Sequence, residues 1–569
     1  MTPLSIKKTN MKIRIFALCL TVLFCQNNAV QAQSASWAWA KKGTGNYGNA
    51  GNSIALDGAG NSYVTGYFGS ASVNFSGTVL TNSTPFIREI FIAKYSPTGS
   101  LLWAKNAQGH GQNEAEHIAV DQSGNSVITG YYQSDTLFLG NDSLYCPAGK
   151  IRFFLAKYDA SGQALWARSS GDTGFATGSF VIRDPHGNYY ATGSFRGRVS
   201  FGGHVLVNTD SAKNDIFLVK YDGSGNVLWA KRAGGTDDDF AHGISLDAAG
   251  NCYMTGSFSS TSIIFGPDTL THASYMDKGF IAKYDSMGQA LWAEDFIGIV
   301  SDYGISLASE PNGNTYLLGD FYGPTFTLGN VTLTNAGNTN TEDIFLAKLD
   351  SSGAVLWAKS AGGLTADVAT QVALDGQSHV LITGSFDSHI ISFGNNVTLT
   401  NVPLNGDAFV AWYDTAGNIL RALNPVGSGI ASSYGICADI IGNAYITGAF
   451  SGPNMVFGNT TLTCNTNNGN YGVYTAKIDT GLSAGISAID NKGLITIFPN
   501  PGTGLFTVQA GQQMSQLTVT DITGRKIFGI APHAHAVTFH LTGLTPGIYF
   551  IQITNEAGIM IGTKKIVLE

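Results

Sequence analysis

The densest run of groups able to do acid–base or metal chemistry is Thr236-Asp237-Asp238-Asp239. Clustered carboxylates can hold a cation or exchange protons with a substrate. Counted along the repeat described below, this run falls in the loop entering the fourth copy. Asn113, Glu114 and Glu116 fall in the equivalent loop of the second copy, and Asp302 and Asp367 in those of the fifth and sixth. With a neighbouring aromatic, the candidate ligand-binding residues are Asp237, Asp238, Asp239, Glu114, Glu116 and Tyr303. The simpler reading of the same carboxylates is solvated loops and turn caps. A second acidic series, Glu89, Asp215, Asp343 and Asp407, recurs at one position of several copies. That points to structural hydrogen bonding, since a single active site needs no repetition.

Other chemical motifs are set aside on physical grounds. GTGNYG (Gly43 to Gly48) has dinucleotide-loop spacing, but a strand-like SIALD follows in place of the helix whose N-terminus holds a pyrophosphate. The D-x-x-G-N turns lack the bidentate Glu of a calcium loop, so a bound cation such as calcium has no supporting motif. His533 and His535 share one strand face and His540 the other, which opposes a metal site. Past the N-terminal leader, Cys146, Cys252, Cys437 and Cys464 show no paired spacing and read as buried thiols. No catalytic, cofactor-binding or metal residue is expected.

The elements that must position these residues come from an internal repeat. YVTGYF recurs as VITGYY, YATGSF, YMTGSF, YLLGDF, LITGSF and YITGAF, with its glycine at 66, 130, 193, 256, 319, 384 and 448. Seven copies at 63 to 65 residues mean a repeat architecture. Each copy contains two hairpins, SIALDGAGNSYVTG-like and FIAKYSPTGSLLWAK-like, separated by an insert of about 20 residues with a small motif such as FGNNVTLTN. Four strands per copy predict an all-β fold, a seven-bladed β-propeller over residues 33–479. A parallel β-helix is the rival, but its coils are shorter and do not alternate two hairpins.

Small residues (Ala55, Ala119, Ser245, Ser306, Ala373, Cys437) place the first strand innermost. Phe68, Tyr132, Phe195, Phe258, Phe321, Phe386 and Phe450 would pack blade on blade. The seventh copy lacks the Trp-bearing last strand, and SWAWAKKG at Ser36 to Gly43 is a spare one. An N-terminal strand carrying Trp39 should therefore close the ring. In the sixth copy Trp412 replaces the usual Lys and Arg421 the usual Trp; hairpin counting puts the two on opposite faces. The long inserts and the loops entering each copy should crowd one end of the ring. Asn338 to Thr341, Asn465 to Asn470, Tyr275, Tyr303 and Tyr322 would there suit a neutral polysaccharide.

Composition bounds the partners. Net charge is −8 with no basic run, which argues against nucleic acid. Residues 1–32 read as a signal peptide: Lys7, Lys8, Lys12 and Arg14, then the apolar IFALCLTVLF, then Val30-Gln31-Ala32. That run is short of the roughly 20 residues that span a bilayer, and no membrane span is expected. Met11 is an alternative start, and bulky Phe24 opposes a lipoprotein reading at Cys25.

After a small-residue linker at 480–493, residues 494–569 alternate as strands and predict a small C-terminal β-sandwich. GISLDAAGNCYMTG and GDAFVAWYDTAGN resemble the SBBP-type seven-bladed propeller repeat of exported bacterial proteins. The tail resembles the type A C-terminal sorting domain of the type IX secretion system. It does so through Phe498, Pro499, Asn500, Pro501 and Gly504, the Asp521/Gly524 turn, Gly547 and Tyr549, and Lys564-Lys565. The resemblance implies type IX machinery as a partner and secretion or outer-membrane surface attachment in a Gram-negative bacterium. A binding or adhesion module is the expected function, with polysaccharide or a surface protein as partner. A glycan-active hydrolase or lyase is the alternative.

Overall fold

The computed structural model describes residues 35–272, 276–298, 302–337, 341–401, 406–464, 471–480, 495–521, 525–555 and 560–568. The expected signal peptide, residues 481–493 of the linker, and Gly524 lie outside them, as do Tyr275, Asn338 to Asn340 and Asn465 to Asn470. Every regular element among the described residues is a strand. No helix there is long and apolar enough to cross a membrane.

In the first copy Asn49–Leu56, Ser62–Phe68, Glu89–Tyr95 and Leu101–Ala107 pair in that order as an antiparallel sheet. The first turn is built as its sequence dictates. Asp57 Oδ1 accepts from the Ala59 and Asn61 amides at 3.0 and 2.9 Å, while Gly60 takes φ +77°. The insert forms a small hairpin of its own, Ser72–Phe75 with Thr78–Thr81. It is not a free crown. Its counterpart in the second copy lies along the blade's outer strand, where Asp142 Oδ2 accepts from the Ala167 amide at 2.8 Å.

The repeat predicts seven sheets of this kind, and eight sheets of four or more strands are present among the described residues. The additional one lies wholly within Ile495–Leu568. The first strands of the other seven are innermost. Each packs against the next, and Ala431–Ala438 packs against Asn49–Leu56, so they form a closed circle around an axis. Ser36–Thr44 pairs antiparallel with Gly472–Asp479, from Ser36 opposite Asp479 to Gly43 opposite Val473. Trp39 is 8% exposed, with Tyr95 and Tyr445 at 6.4 and 6.1 Å between ring centroids. The chain start thus supplies the missing strand.

Three devices join each blade to the next. Apolar clusters combine neighbouring blades; one joins Tyr63, Ile90 and Ile92 to Ile118, Ile128 and Tyr132. At the outer edge the last strand bridges to the next copy's insert, as Gly43 does to Phe75 and Gln108 to Phe138. At the short-turn end an indole N–H donates to a turn carbonyl of the following blade at 3.0 to 3.4 Å. The pairs are Trp39 with Pro97, Trp103 with Ala160, Trp166 with Gly223, Trp229 with Ser286, Trp292 with Ser351 and Trp357 with Thr415. Each such bond contributes about 0.5–1.5 kcal/mol.

Arg421 does the same work at the remaining junction, donating from Nη1 to the Thr480 carbonyl at 3.2 Å. Trp412 and Arg421 are direct cross-strand partners on one face, with the guanidinium 4.9 Å from the ring centroid, and not on opposite faces as counted. The pairing shifts register between Trp412 and Tyr413, leaving Leu420 as an extra residue that alternation cannot anticipate.

The C-terminal segment is one continuous six-stranded sheet in place of the two-layer sandwich expected. Its 16-residue strand Leu505–Thr520 is the reason. One half pairs with Ile495–Phe498 and Ala534–His540, the other with Lys526–Ile530 and Gly547–Asn555, which curls the sheet like a barrel around Phe506, Leu517, Phe539, Ile551 and Ile566. The motif residues stitch this sheet together. Asn500 Nδ2 donates to the Lys565 carbonyl and its Oδ1 accepts from the Val567 amide, both at 2.8 Å. Tyr549 donates to the Thr545 carbonyl at 2.8 Å, and Lys564 and Lys565 are exposed.

Candidate functional site

The repeated glycine of the second strand has a steric cause that leads to the axis. A Cβ on Gly66 would lie 2.1 Å from the Ala50 carbonyl oxygen, and one on any of its six counterparts would lie 1.9 to 2.1 Å from the equivalent oxygen. The carbonyl is driven there by a one-residue bulge, which every innermost strand carries at the same place. A bulge re-aims the side chain of its extra residue. The extra residues are Asn52, Glu116, Ser179, His242, Ile305, Thr370 and Tyr434, and all seven line one cavity of about 450 Å³. No two are of the same type.

The residues just past the bulges form the floor. His117 stacks on Phe180 at 3.5 Å between centroids, and its Nε2 lies 3.3 Å from Gln371 Nε2, three blades away around the ring. Gln371 Oε1 in turn accepts from the Ile436 amide at 2.8 Å. Residues beyond this level do not line the cavity, so it occupies the long-loop half of the axis.

Bonded to the lining residues Asn52 and Tyr131, but not itself lining the cavity, is an ordered charge pair. Glu114 Oε2 receives Arg88 Nη1 at 2.5 Å and the Tyr131 hydroxyl at 3.0 Å, while Oε1 receives Asn52 Nδ2 at 3.1 Å. Arg88 also lies 4.1 Å from the Tyr67 ring centroid. Glu116, two residues on, makes no hydrogen bond with any described residue. Burial, reinforced by the Glu114 charge and opposed by Arg88, pushes its carboxyl up to about 8. Burial holds the His117 imidazole down to about 3 and that of His242 to about 4. Burial therefore favours the protonated acid and the uncharged imidazoles in this cavity. No group of three or more metal-ligating side chains occurs among the described residues.

The expected site residues scatter. Glu114 and Glu116 belong to the innermost strand Asn113–Val120, not to a loop; Glu116 lines the cavity, and Glu114 does not. Asp237 and Asp238 share one cation, Lys213 Nζ, at 2.5 and 3.2 Å, and do not line the cavity. Tyr303 is half-buried on its strand and donates to Asp277 Oδ2 at 3.0 Å. Asp239 is fully buried, with Oδ2 accepting from the Gly235 amide at 2.8 Å and the Ser260 hydroxyl at 2.9 Å. Asn49, Asn113 and Asp367 hold a serine in the same way. Asp239 is thus a repeated structural brace, and replacing the whole triplet by alanine would not spare stability. Glu89, Asp215, Asp343 and Asp407 are likewise buried and locally bonded, to Ser83, Arg232, the Ala336 amide and Asn424.

A single substitution separates the two roles. Asp239→Ala orphans the Ser260 and Gly235 donors and should cost about 1–3 kcal/mol. Asp239→Asn, the residue its counterparts at 49 and 113 use, should restore most of that. Asp237→Ala should leave thermal unfolding within a degree or two of the parent. Equal melting temperatures for Asp239→Ala and the parent would reject the brace.

The ring of bulged residues escaped the sequence reading. Its signal, a position that changes type in every copy, was present but not unique, since the position two residues earlier (Ala50, Glu114, Thr177, Phe240, Tyr303, Val368 and Ser432) varies as fully.

Comparisons with known proteins bear on the two parts separately. The chain is 23% identical over 471 residues to an uncharacterized WD repeat-containing protein of Acanthamoeba polyphaga mimivirus, covering 69% of this chain and 33% of that one. It is 25% identical over 328 residues to the regulatory protein FlaEY of Caulobacter vibrioides, covering 54% and 33%. The chain therefore spans about a third of the length of these curated relatives. Similar solved structures include PorZ, described as an essential bacterial surface component of the type-IX secretion system of Porphyromonas gingivalis (11% identity, 91% and 75% coverage, TM-score 0.26). Another is a puromycin hydrolase (11% identity, 75% and 57% coverage, TM-score 0.39). Residues 496–569 match the family described as the secretion system C-terminal sorting domain, which makes the curled C-terminal sheet a sorting domain.

Proposed function

We propose that this chain is a surface-displayed binding module of a Gram-negative bacterium, exported by a type IX secretion system that engages its C-terminal domain. In this reading seven repeat-derived blades, closed by Ser36–Thr44, form the working part, and its ligand enters the axial cavity. One observation carries the proposal. Seven equivalent bulges aim seven different side chains, Asn52, Glu116, Ser179, His242, Ile305, Thr370 and Tyr434, into the same space. A structural requirement would repeat one residue type, as the glycine opposite each bulge does. Differentiation on a repeated scaffold is what recognition needs.

The alternative is a hydrolase or lyase with Glu116 as acid and Glu114, paired with Arg88, as its partner carboxyl. Glu114, however, is engaged by Arg88, Tyr131 and Asn52, which leaves it poorly placed to act as a base. Binding is the better-supported function. The test is incubation of the purified mature protein with glycan and surface-protein arrays, beside an Ile305→Trp, Ser179→Trp variant that fills the cavity. Ligand captured by the parent should be held at least tenfold more weakly by the filled variant. Undiminished binding there, with loss in an Asp237→Ala, Asp238→Ala variant, would move the site to the loops.

A further inference from the structure

We propose that Glu116 binds as a carboxylic acid, donating a hydrogen bond from the cavity wall to an oxygen of a neutral, polyhydroxylated ligand the size of one or two sugar rings. The inference rests on the axial cavity being the binding site and names the chemistry that site selects.

The shape of the cavity supports the size. His117, Phe180 and Gln371 meet across the axis at its floor, which narrows the passage below the bulged residues. About 450 Å³ above that floor accommodates a chain end rather than a polymer in passage. The lining supports the class. An amide at Asn52, hydroxyls at Ser179 and Thr370, and a phenol at Tyr434 (39% exposed) stand beside the apolar surfaces of Ile305 and Phe180. Alternating polar and apolar wall suits a sugar, which offers hydroxyl edges and C–H faces.

Charge excludes the other classes. The groups facing Glu116 are Glu114 and His117 on its own strand and Arg88 from the segment preceding the first blade's third strand. Tyr67 and Tyr131 face it from the second strands, and His242 and Tyr434 from across the axis. Arg88 and Glu114 cancel as a bonded pair, so no cation remains to hold an anionic ligand. The imidazoles are uncharged, and Glu116 keeps its proton until about pH 8, so no free anion remains for a cationic one. What remains is an O–H with no partner among the described residues, directed into a neutral cavity.

The sign of the pH dependence follows. Ligand should bind the protonated form, so affinity should be level below about pH 7 and fall as pH rises through 8. Calorimetry of the mature protein with cellobiose, maltose, mannobiose and diacetylchitobiose at pH 6 and pH 9.5 tests this. At least one should bind at pH 6 and weaken about 30-fold at pH 9.5, the drop in protonated fraction for a group titrating at about 8. Glu116→Gln keeps an N–H donor and should remove the pH dependence; Glu116→Ala should weaken binding about tenfold at pH 6. Infrared difference spectra give a ligand-free readout, a carboxylic acid carbonyl band present at pH 7, lost at pH 9.5 and missing from Glu116→Gln. Binding that is unchanged or stronger at pH 9.5, no binding by any of the four sugars at pH 6, or an absent acid band would each overturn the inference. None of these touches the cavity itself, which fails only if the filled variant keeps the array ligand.

Discussion

Deletion of Ser36–Thr44 should open the ring, and Trp39→Ala alone should destabilise it by about 3–5 kcal/mol, as truncation of a buried Trp usually does. The closing strand is the outer strand of the last blade, hydrogen-bonded along Gly472–Asp479. Its indole also latches that blade to the first through Pro97 and packs on Tyr95 and Tyr445. Removing the side chain costs burial, one interblade bond and two aromatic contacts at the junction of the first and last blades. Removing the whole strand exposes the backbone of Gly472–Asp479 as an unpaired edge, a template for intermolecular pairing. Thermal unfolding and light scattering measure both effects. The expected results are a melting temperature lowered by several degrees for Trp39→Ala and concentration-dependent aggregation for the deletion. A monodisperse deletion variant that melts with the parent would show that closure lies elsewhere.

Removal of residues 494–569 should abolish delivery to the surface while leaving the ring folded. The structural ground is that the two parts do not share a core. Among the described residues the C-terminal cluster draws only on residues from Ile497 to Leu568, and none of the seven interblade clusters includes a residue of that segment. The addressing information matches the segment removed. Truncated protein should accumulate in the periplasm, resist protease there, and melt like the ring of the parent. Protease shaving of intact cells separates the outcomes, because surface exposure at the parent's level would reject the sorting role. Loss of folded protein would show instead that the ring depends on the tail.

What the sequence determined by itself is whatever the copies share. The 63 to 65 residue interval, the two hairpins, the Asp57-type turn and the spare strand at Trp39 are periodic or local, so they are legible without coordinates. The sorting motifs are legible for the same reason, as short stretches in fixed order. Where a side chain points is not legible in this way, because strand alternation fails at a bulge. One extra residue moves everything after it to the opposite face. Such a residue at Leu420 misplaced Trp412 relative to Arg421, and another at Glu116 hid an axial group in what looked like a loop. Burial was equally out of reach. Asp239 looked like part of an exposed acidic run until packing put it beneath Ser260 and left Asp237 and Asp238 outside with Lys213. The repeat specifies the scaffold, and only the tertiary structure shows which of its differences converge on one axis.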